Sequence, residues 1–312
     1  MGADWPGEAS EPADEDSNPD TRRSSGGRPV PAETRSRHEY YDELHRTVSA
    51  AGRQNAADEQ AAAQKWDEAA EESRWMWTEY ERKWPPEERS SAHISADPPG
   101  SWRADGDRFL PAETNKRVDA ECDRVADRER DRISPAMRAV ESQDPDRHLT
   151  GFDHRLKGRD RIKEKVCGMI KELNFTPAAA VSLVPDAIRY TLQYRESHYT
   201  QGVREDIERL KGQGFELHKL KNSWSEEQYK GINSQWVERG TGQRLEVQFH
   251  TRISFEAKQL THAAYERLRT KQADRFEELV LEAFQEKVAS EVPVPPGAAG
   301  IPDYPERGAG AR

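Results

Sequence analysis

The chain has 312 residues, a hydrophobic fraction of 34%, a charged fraction of 34% and a formal charge of −10. That balance departs from an average compact domain, so a folded domain diluted by polar segments is expected. The acidic total argues against binding duplex nucleic acid through a broadly basic surface, although it leaves room for a local basic pocket.

No apolar run approaches the roughly 18 residues of a membrane span. The opening MGADWPGEASEPADEDS carries neither a basic n-region nor an apolar h-region, so no Sec signal is read. The expectation is a cytoplasmic protein or one exported by a non-classical route. Cys122 and Cys167 make no disulfide framework and are expected as reduced, half-buried thiols.

In chain order, residues 1–37 are Pro, Gly, Ser and charged residues with almost no large aliphatics, and are expected to be disordered. Residues 38–83, rich in Ala, Glu and Gln, favour helix and are read as an element for a partner or for export. Residues 84–107, with two Pro-Pro pairs, read as a linker. The folded domain is placed at 108–292. It opens with a long charged helix over 115–142, with Val118, Cys122, Val125 and Ile133 as a sparse inner stripe.

From there the periods alternate. A short strand is expected over 151–157 and a helix over 159–173. VPDAIRYTLQY, 184–194, alternates as a strand, and 200–213 suit a helix ended by Gly212 and Gly214. Strands follow at 215–224, 232–239 and 243–251, the last two joined by a hairpin-like GTGQ turn. One long helix is expected from 253 to 290, then a disordered tail over 293–312. The fold class is therefore α/β (α+β): about five strands in a mixed sheet flanked by helices, behind a long N-terminal extension.

Polar groups converge on a few of these elements. RLKGRDRIKEK places Arg155, Lys157, Arg159, Arg161, Lys163 and Lys165 around a strand–turn–helix junction. Such a junction presents backbone N–H groups and a positive dipole, and cations beside it would clamp a polyphosphate. A solvated basic face is the plainer explanation of such a run. The GxxxxGK[ST] pattern is absent. The 184–194 strand carries Asp186 and Arg189. In LEVQFHT, Leu245, Val247 and Phe249 alternate with Glu246, Gln248 and His250, giving one apolar and one polar face. Asp186 and Glu246 on neighbouring strands would suffice for one Mg²⁺, which takes one or two protein carboxylates plus substrate oxygens.

Together these residues resemble the RelA/SpoT-type alarmone synthetases, the nucleotide pyrophosphokinases. The family's R-x-K-x-x-x-S-I-x-x-K loop is similar to the stretch from Arg155 through Lys157 to Lys165, with Arg161 where Ser is usual. Its E-V-Q-[IV]-R-T strand resembles Glu246 to Thr251, with His250 in place of Arg. Its Y-x-S-x-H motif resembles Tyr229 to Asn233, keeping the Tyr, and a downstream His resembles His262. In D-x-x-G-x-R the family spaces Asp and Arg five apart, whereas Asp186 and Arg189 are three apart.

The resemblance covers roughly 115–290 and is nearest to a divergent branch that includes toxin-type synthetases and actinobacterial nucleotide 3′-pyrophosphokinases. No HDxxxD hydrolase motif is present. The resemblance implies a nucleotidyltransferase-like fold and Mg²⁺-dependent transfer of pyrophosphate from ATP to the 3′-hydroxyl of an acceptor nucleotide. Arg155, Lys157, Arg161, Lys165 and Arg189 would bind ATP. Glu246 and Asp186 would be catalytic and metal-binding. Tyr229, Asn233, Gln248 and His262 would hold the acceptor: GDP or GTP, an adenosine nucleotide, or a tRNA 3′ end. An antitoxin-like or export partner would use residues 38–83. Nucleotidyl transfer, and an interaction protein with a weak active site, are the rival readings.

Overall fold

The computed structural model describes residues 37–85, 97–104, 107–270 and 273–305, with side chains from residue 56 onward. The acidic start, most of the Pro-rich linker and the last seven residues, all expected to be disordered or linking, lie outside the described residues. The chain divides into two compact units, 1–52 and 53–312, and of the first only the helical backbone from residue 37 is described.

Helix α1 spans Arg37–Lys83. In the second unit Trp66, Ala70, Ser73 and Tyr80 are buried. A two-residue hairpin, β1 (Trp102–Arg103) with β2 (Phe109–Leu110), leads into α2 (Ala112–Arg128). A π-helical turn over Glu129–Ile133 joins α2 to α3 (Ser134–Glu141), so the expected 115–142 helix is interrupted by one wide turn. That turn carries the buried Glu129, which accepts from Arg155 Nε at 2.7 Å and from the hydroxyls of Ser134 and Tyr190.

The next strand, β3, is Arg147–Thr150, not 151–157. Gly151 turns left-handed at φ 63°, and residues 152–154 form a 3₁₀ turn. Of the expected strand only a bridge from Leu156 to Ile188 remains. Helix α4 (Arg159–Lys171) follows, then α5 (Pro177–Ser182), which was not foreseen although Thr176 caps it and Pro177 opens it. Strand β4 (Arg189–Tyr194), helix α6 (Tyr199–Gly212), and strands β5 (Phe215–Asn222), β6 (Ile232–Glu238) and β7 (Arg244–Thr251) complete the sheet.

The five strands lie in the order β3-β4-β7-β6-β5, with β4 and β7 parallel and the other pairs antiparallel, a mixed α+β sheet. Tyr190, Leu192, Tyr194, Val247, Phe249, Ile232 and Trp236 share one face by register and are buried. Each such side chain contributes about 1.5–3 kcal/mol of burial. Helix α6 lies on this face, with Tyr194 and Tyr199 in edge contact at 5.5 Å. The other face carries Arg189, Glu246, Gln248, His250 and Asn233.

Strand β7 runs directly into α7 (Arg252–Arg269) through a capping box between Thr251 and Ser254, so α7 turns back over the polar face. The long terminal helix is in fact two. Helix α8 (Arg275–Ser290) starts afresh at Asp274, whose side chain caps Phe276 and Glu277. The second-unit part of α1 packs here: Trp66 Nε1 donates to Glu256 at 2.7 Å, Tyr80 OH donates to Glu277 at 2.6 Å, and Trp77 meets Phe284 at 5.4 Å.

Residues 293–305 follow a defined path, where a disordered tail was expected. Ala298 and Ile301 are buried, Asn222 Nδ2 donates to the carbonyls of both, and Tyr304 exchanges two backbone hydrogen bonds with Leu220. The segment covers the otherwise open edge of β5, which is why a Pro- and Gly-rich sequence is held. Cys122 and Cys167 are free and buried rather than half-buried, and burial pushes the Cys122 thiol up to about 11.

Candidate active site

The stretch Arg155–Lys157 is laid beside the start of β4 by two backbone hydrogen bonds, Lys157 N to Ala187 O at 3.0 Å and Arg189 N to Arg155 O at 2.7 Å. This fixes Lys157 next to Asp186. Lys157 Nζ donates to Asp186 Oδ2 at 2.9 Å. Lys165, one turn of α4 beyond Arg161, donates to both oxygens at 2.8 and 2.7 Å. Arg189 Nη2 adds a contact of 3.3 Å. Asp186 is 8% exposed. Burial opposes its ionisation, but hydrogen bonds from Lys165 and Lys157 outweigh that and hold the carboxyl at about 2.

The parallel register of β4 and β7 sets Arg189 opposite Glu246. Arg189 Nε donates to Glu246 Oε1 at 2.9 Å, so one guanidinium bridges the two carboxylates. The same oxygen accepts from Gln248 Nε2, and Gln248 Oε1 accepts from Lys258 Nζ of α7. A polar chain thus runs from Asp186 through Arg189, Glu246 and Gln248 to Lys258.

Beyond it, Tyr229 OH donates to Asn233 Oδ1 at 3.0 Å and lies 2.9 Å from His250 Nε2. Burial raises the Tyr229 phenol, and the nearby Glu246 charge adds to this. His250 Nδ1 meets Ser254 Oγ at 2.9 Å. Burial, and then the charge of Lys258, push the His250 imidazole well below its ordinary range, so it is neutral.

These groups, apart from Arg155, His250 and Ser254, line an open cleft of about 700 Å³, within the usual range of small-molecule sites, roughly 300–1,000 Å³. Eight Lys or Arg and five Asp or Glu side chains line it, a positive cleft in a chain of charge −10. Lys157, Arg161, Lys165, Asp186, Arg189, Tyr229, Asn233, Glu246, Gln248 and His262 all reach it. Arg155 does not. Its guanidinium pairs with the buried Glu129 and lies 4.3 Å from the Phe152 ring, because the β4-side pairing of its backbone turns the side chain away from Lys157.

Lys258, Tyr265 and Arg269 line the cleft with His262 and were not singled out in the sequence. Their spacing of four, three and four residues puts them on one face of α7, and that periodicity was the available signal. Arg108 and Lys221 also line the cleft and left no such pattern.

Asp186 sits in a 3₁₀ turn just before β4, not on the strand where it was expected, and with Glu246 of β7 it forms an oxygen-only pair, one of them held ionised, which suits a hard cation such as Mg²⁺. A separate group, Asp144, His198 and Glu205, has metal-ligand spacing but does not line the cleft. Arg147 lies 2.9 Å from Asp144, and Arg209 lies 2.9 Å from Glu205.

Fold and cleft together define an α+β domain in which Lys157, Lys165 and Arg189 pair with two carboxylates in a cationic cleft. Solved structures similar to the chain include a GTP pyrophosphokinase family protein from Streptococcus pneumoniae, at 15% identity and TM-score 0.38, over 58% of this chain and 92% of that one. They also include small alarmone synthetase 1 from Bacillus subtilis bound to its product pppGpp, at 15% identity and TM-score 0.36, over 57% and 92%. No family model and no curated protein matches the chain.

Proposed function

We propose that the chain is a nucleotide pyrophosphokinase of RelA/SpoT type, transferring the β,γ-pyrophosphate of ATP to the 3′-hydroxyl of an acceptor nucleotide. The carrying observation is Arg189 bridging Asp186 and Glu246 beside Lys157 and Lys165. This sets a polyphosphate clamp directly against a carboxylate that faces open space.

Lys157, Arg161, Lys165 and Arg189 bind the triphosphate and neutralise charge that builds on it in the transition state. Asp186 holds three of these cations in position until phosphate oxygens replace it as their partner. The acceptor base lies on Tyr229, whose hydroxyl is anchored by Asn233 and His250, while Gln248 and His262 supply polar contacts. The acceptor oxygen attacks the β-phosphorus, the bond to the α,β-bridging oxygen breaks, and AMP leaves. Glu246 accepts the hydroxyl proton or lowers the barrier as a metal ligand. Mg²⁺ held by Asp186 and Glu246 would supply further charge neutralisation to the phosphate oxygens. Gly231 and Asn233 replace the Ser and His of the family's acceptor motif, so GDP, GTP and adenosine nucleotides all belong in the acceptor screen.

Product analysis with γ- and α-labelled ATP tests the reading. Label from the γ position on the acceptor, with AMP released, supports it. Label from the α position, with pyrophosphate released, marks nucleotidyl transfer and overturns it, as does transfer of neither label.

A further inference from the structure

Tyr229 reaches the cleft from residues 223–231, a loop between β5 and β6 with no helix or strand of its own. Ser223, Glu226 and Gln228 of the same loop also line the cleft. Backbone groups outside a ladder must be met by other partners, so what ties this loop decides how firmly Tyr229 is presented. One backbone bond closes its base, Ser223 N to Gly231 O at 2.9 Å. Its first limb is anchored by Trp224, which is buried, meets Tyr199 edge-on at 5.0 Å, and donates its N–H to Asn222 Oδ1 at 3.1 Å. The Tyr229 hydroxyl is held by the sheet, through Asn233 of β6 and His250 of β7. The backbone end of Tyr229 is held by its neighbour, Lys230.

The Lys230 side chain lies outside the lining of the cleft. Its ammonium turns back across the loop and donates to two carbonyls of the opposite limb, Trp224 O at 3.2 Å and Glu226 O. One side chain therefore fastens the residue after Tyr229 to the limb that Trp224 anchors. The other tie within this region, Lys221 to Glu226 at 2.7 Å, joins side chains 41% and 42% exposed, where water screens the pair and it contributes little. Lys230 is half-buried, and bonds from a less solvated ammonium are screened less. The clamp of Lys157, Lys165 and Arg189 is pinned by Asp186 and Glu246, none of them in this loop.

We propose that Lys230 is a positioning residue for the acceptor: by tying residues 223–231 across the loop it keeps the Tyr229 ring at the cleft wall, without itself touching either substrate. This rests on the pyrophosphokinase reading, in which the acceptor base lies on Tyr229. A ligand that needs an ordered loop binds more weakly in proportion to the fraction of molecules in which the loop is ordered. Hydrogen bonds from an ammonium are strong enough to set that fraction, so loss of both should weaken acceptor binding by about tenfold. Once the acceptor is bound the loop is ordered again, so the loss falls on affinity and not on the chemical step.

The test compares the full-length chain with Lys230→Met, which keeps length and removes the donors, and Lys230→Arg, which restores them. Amide hydrogen exchange is followed in residues 223–231 and, as the internal reference, in β4 and β7. Acceptor affinity is measured by calorimetry with GDP and ADP, the ATP site being filled by a non-hydrolysable analogue, and KM and kcat in the transfer assay. Lys230→Met should speed exchange in 223–231 by about tenfold and raise the acceptor Kd and KM by about tenfold. Exchange in β4 and β7, the KM for ATP, kcat at saturating acceptor and the Tm should stay close to wild type. Lys230→Arg should recover most of the loss.

A raised acceptor KM with unchanged exchange in 223–231 would mean that Lys230 meets the acceptor itself, and would overturn the proposal. So would faster exchange with unchanged acceptor affinity, equal weakening of acceptor and ATP, or no effect of Lys230→Met. If the wild type binds an acceptor but transfers no label, the pyrophosphokinase reading fails, while faster exchange joined to weaker acceptor binding in Lys230→Met still upholds the role of Lys230. If the wild type binds neither probe, both fall.

Discussion

A Cβ added at Gly231 would lie 2.6 Å from Cε1 and 2.9 Å from Nδ1 of His250. Residue 231 precedes β6 and His250 is near the end of β7, so the sheet register brings them together. Gly231 also holds φ +147°, a conformation unsuited to a side chain. Gly231→Ala must therefore move the imidazole that supports Tyr229. The expected cost is about 1–3 kcal/mol in urea unfolding, with a raised KM for the acceptor. Gly212→Ala, at the end of α6 with nothing within 4 Å, is the control and should leave stability within about 0.5 kcal/mol of wild type.

His250 sets an acid limit on stability. Its folded-state pKa lies well below the ordinary 6.5 because the ring is buried, so below 6.5 the unfolded chain binds a proton that the folded chain does not. Stability attributable to His250 is fully present above 6.5 and is lost as pH falls beneath it. Thermal unfolding between pH 7.5 and 5 should show a falling Tm in wild type. The slope should be shallower in His250→Gln, which does not titrate. Equal slopes would remove His250 as the cause.

Glu246→Gln keeps the shape of the side chain and a carbonyl oxygen for Arg189 while removing the negative charge. The opposite face of β7, with Leu245, Val247 and Phe249, is untouched. We expect transfer to fall about 10²-fold or more with Tm nearly unchanged, the scale of a base or metal-ligand role. Near wild-type transfer at saturating ATP and Mg²⁺ would remove Glu246 from the chemistry.

Lys157→Ala leaves Asp186 paired with Lys165 and Arg189, so the fold should persist. A clamping cation acts in the ground state as well as the transition state. KM for ATP should rise about tenfold or more, with a smaller change in the acceptor KM. The same test on Arg155→Ala should instead show lost stability, because it strands the buried Glu129.

The part of α1 around Trp66 is packed into the second unit. Trp66 is 2% exposed and bonded to Glu256, whereas Trp75 is 64% exposed. Trp66→Ala should cost about 3–5 kcal/mol and Trp75→Ala under about 0.5 kcal/mol, measured by urea midpoints. The difference decides whether a fragment beginning at residue 108 can reach wild-type stability. It would expose the surface of α8 around Phe284 that Trp77 now covers.

Local rules made much of the molecule legible. Alternation in LEVQFHT assigned Leu245, Val247 and Phe249 to the buried face and left Glu246 and Gln248 on the other, because side chains of a strand point to opposite sides whatever lies beyond them. Turn and cap chemistry located α6, β5 and the β6–β7 hairpin to within a residue or two. Features set by contacts between distant segments were not legible. Arg155 and Lys157 are two residues apart in one cationic run, yet the buried Glu129 draws the first away while Asp186 holds the second at the cleft. Lys258 gained its place when the Thr251–Ser254 capping box turned α7 over the sheet. The break before α8 and the ordering of residues 293–305 depend likewise on a cap and on an open strand edge that needed covering. Periodicity decides which face a side chain joins. Only the register between strands and the docking of helices decides which other charge it meets there, and in this cleft that pairing separates Lys157 from Arg155.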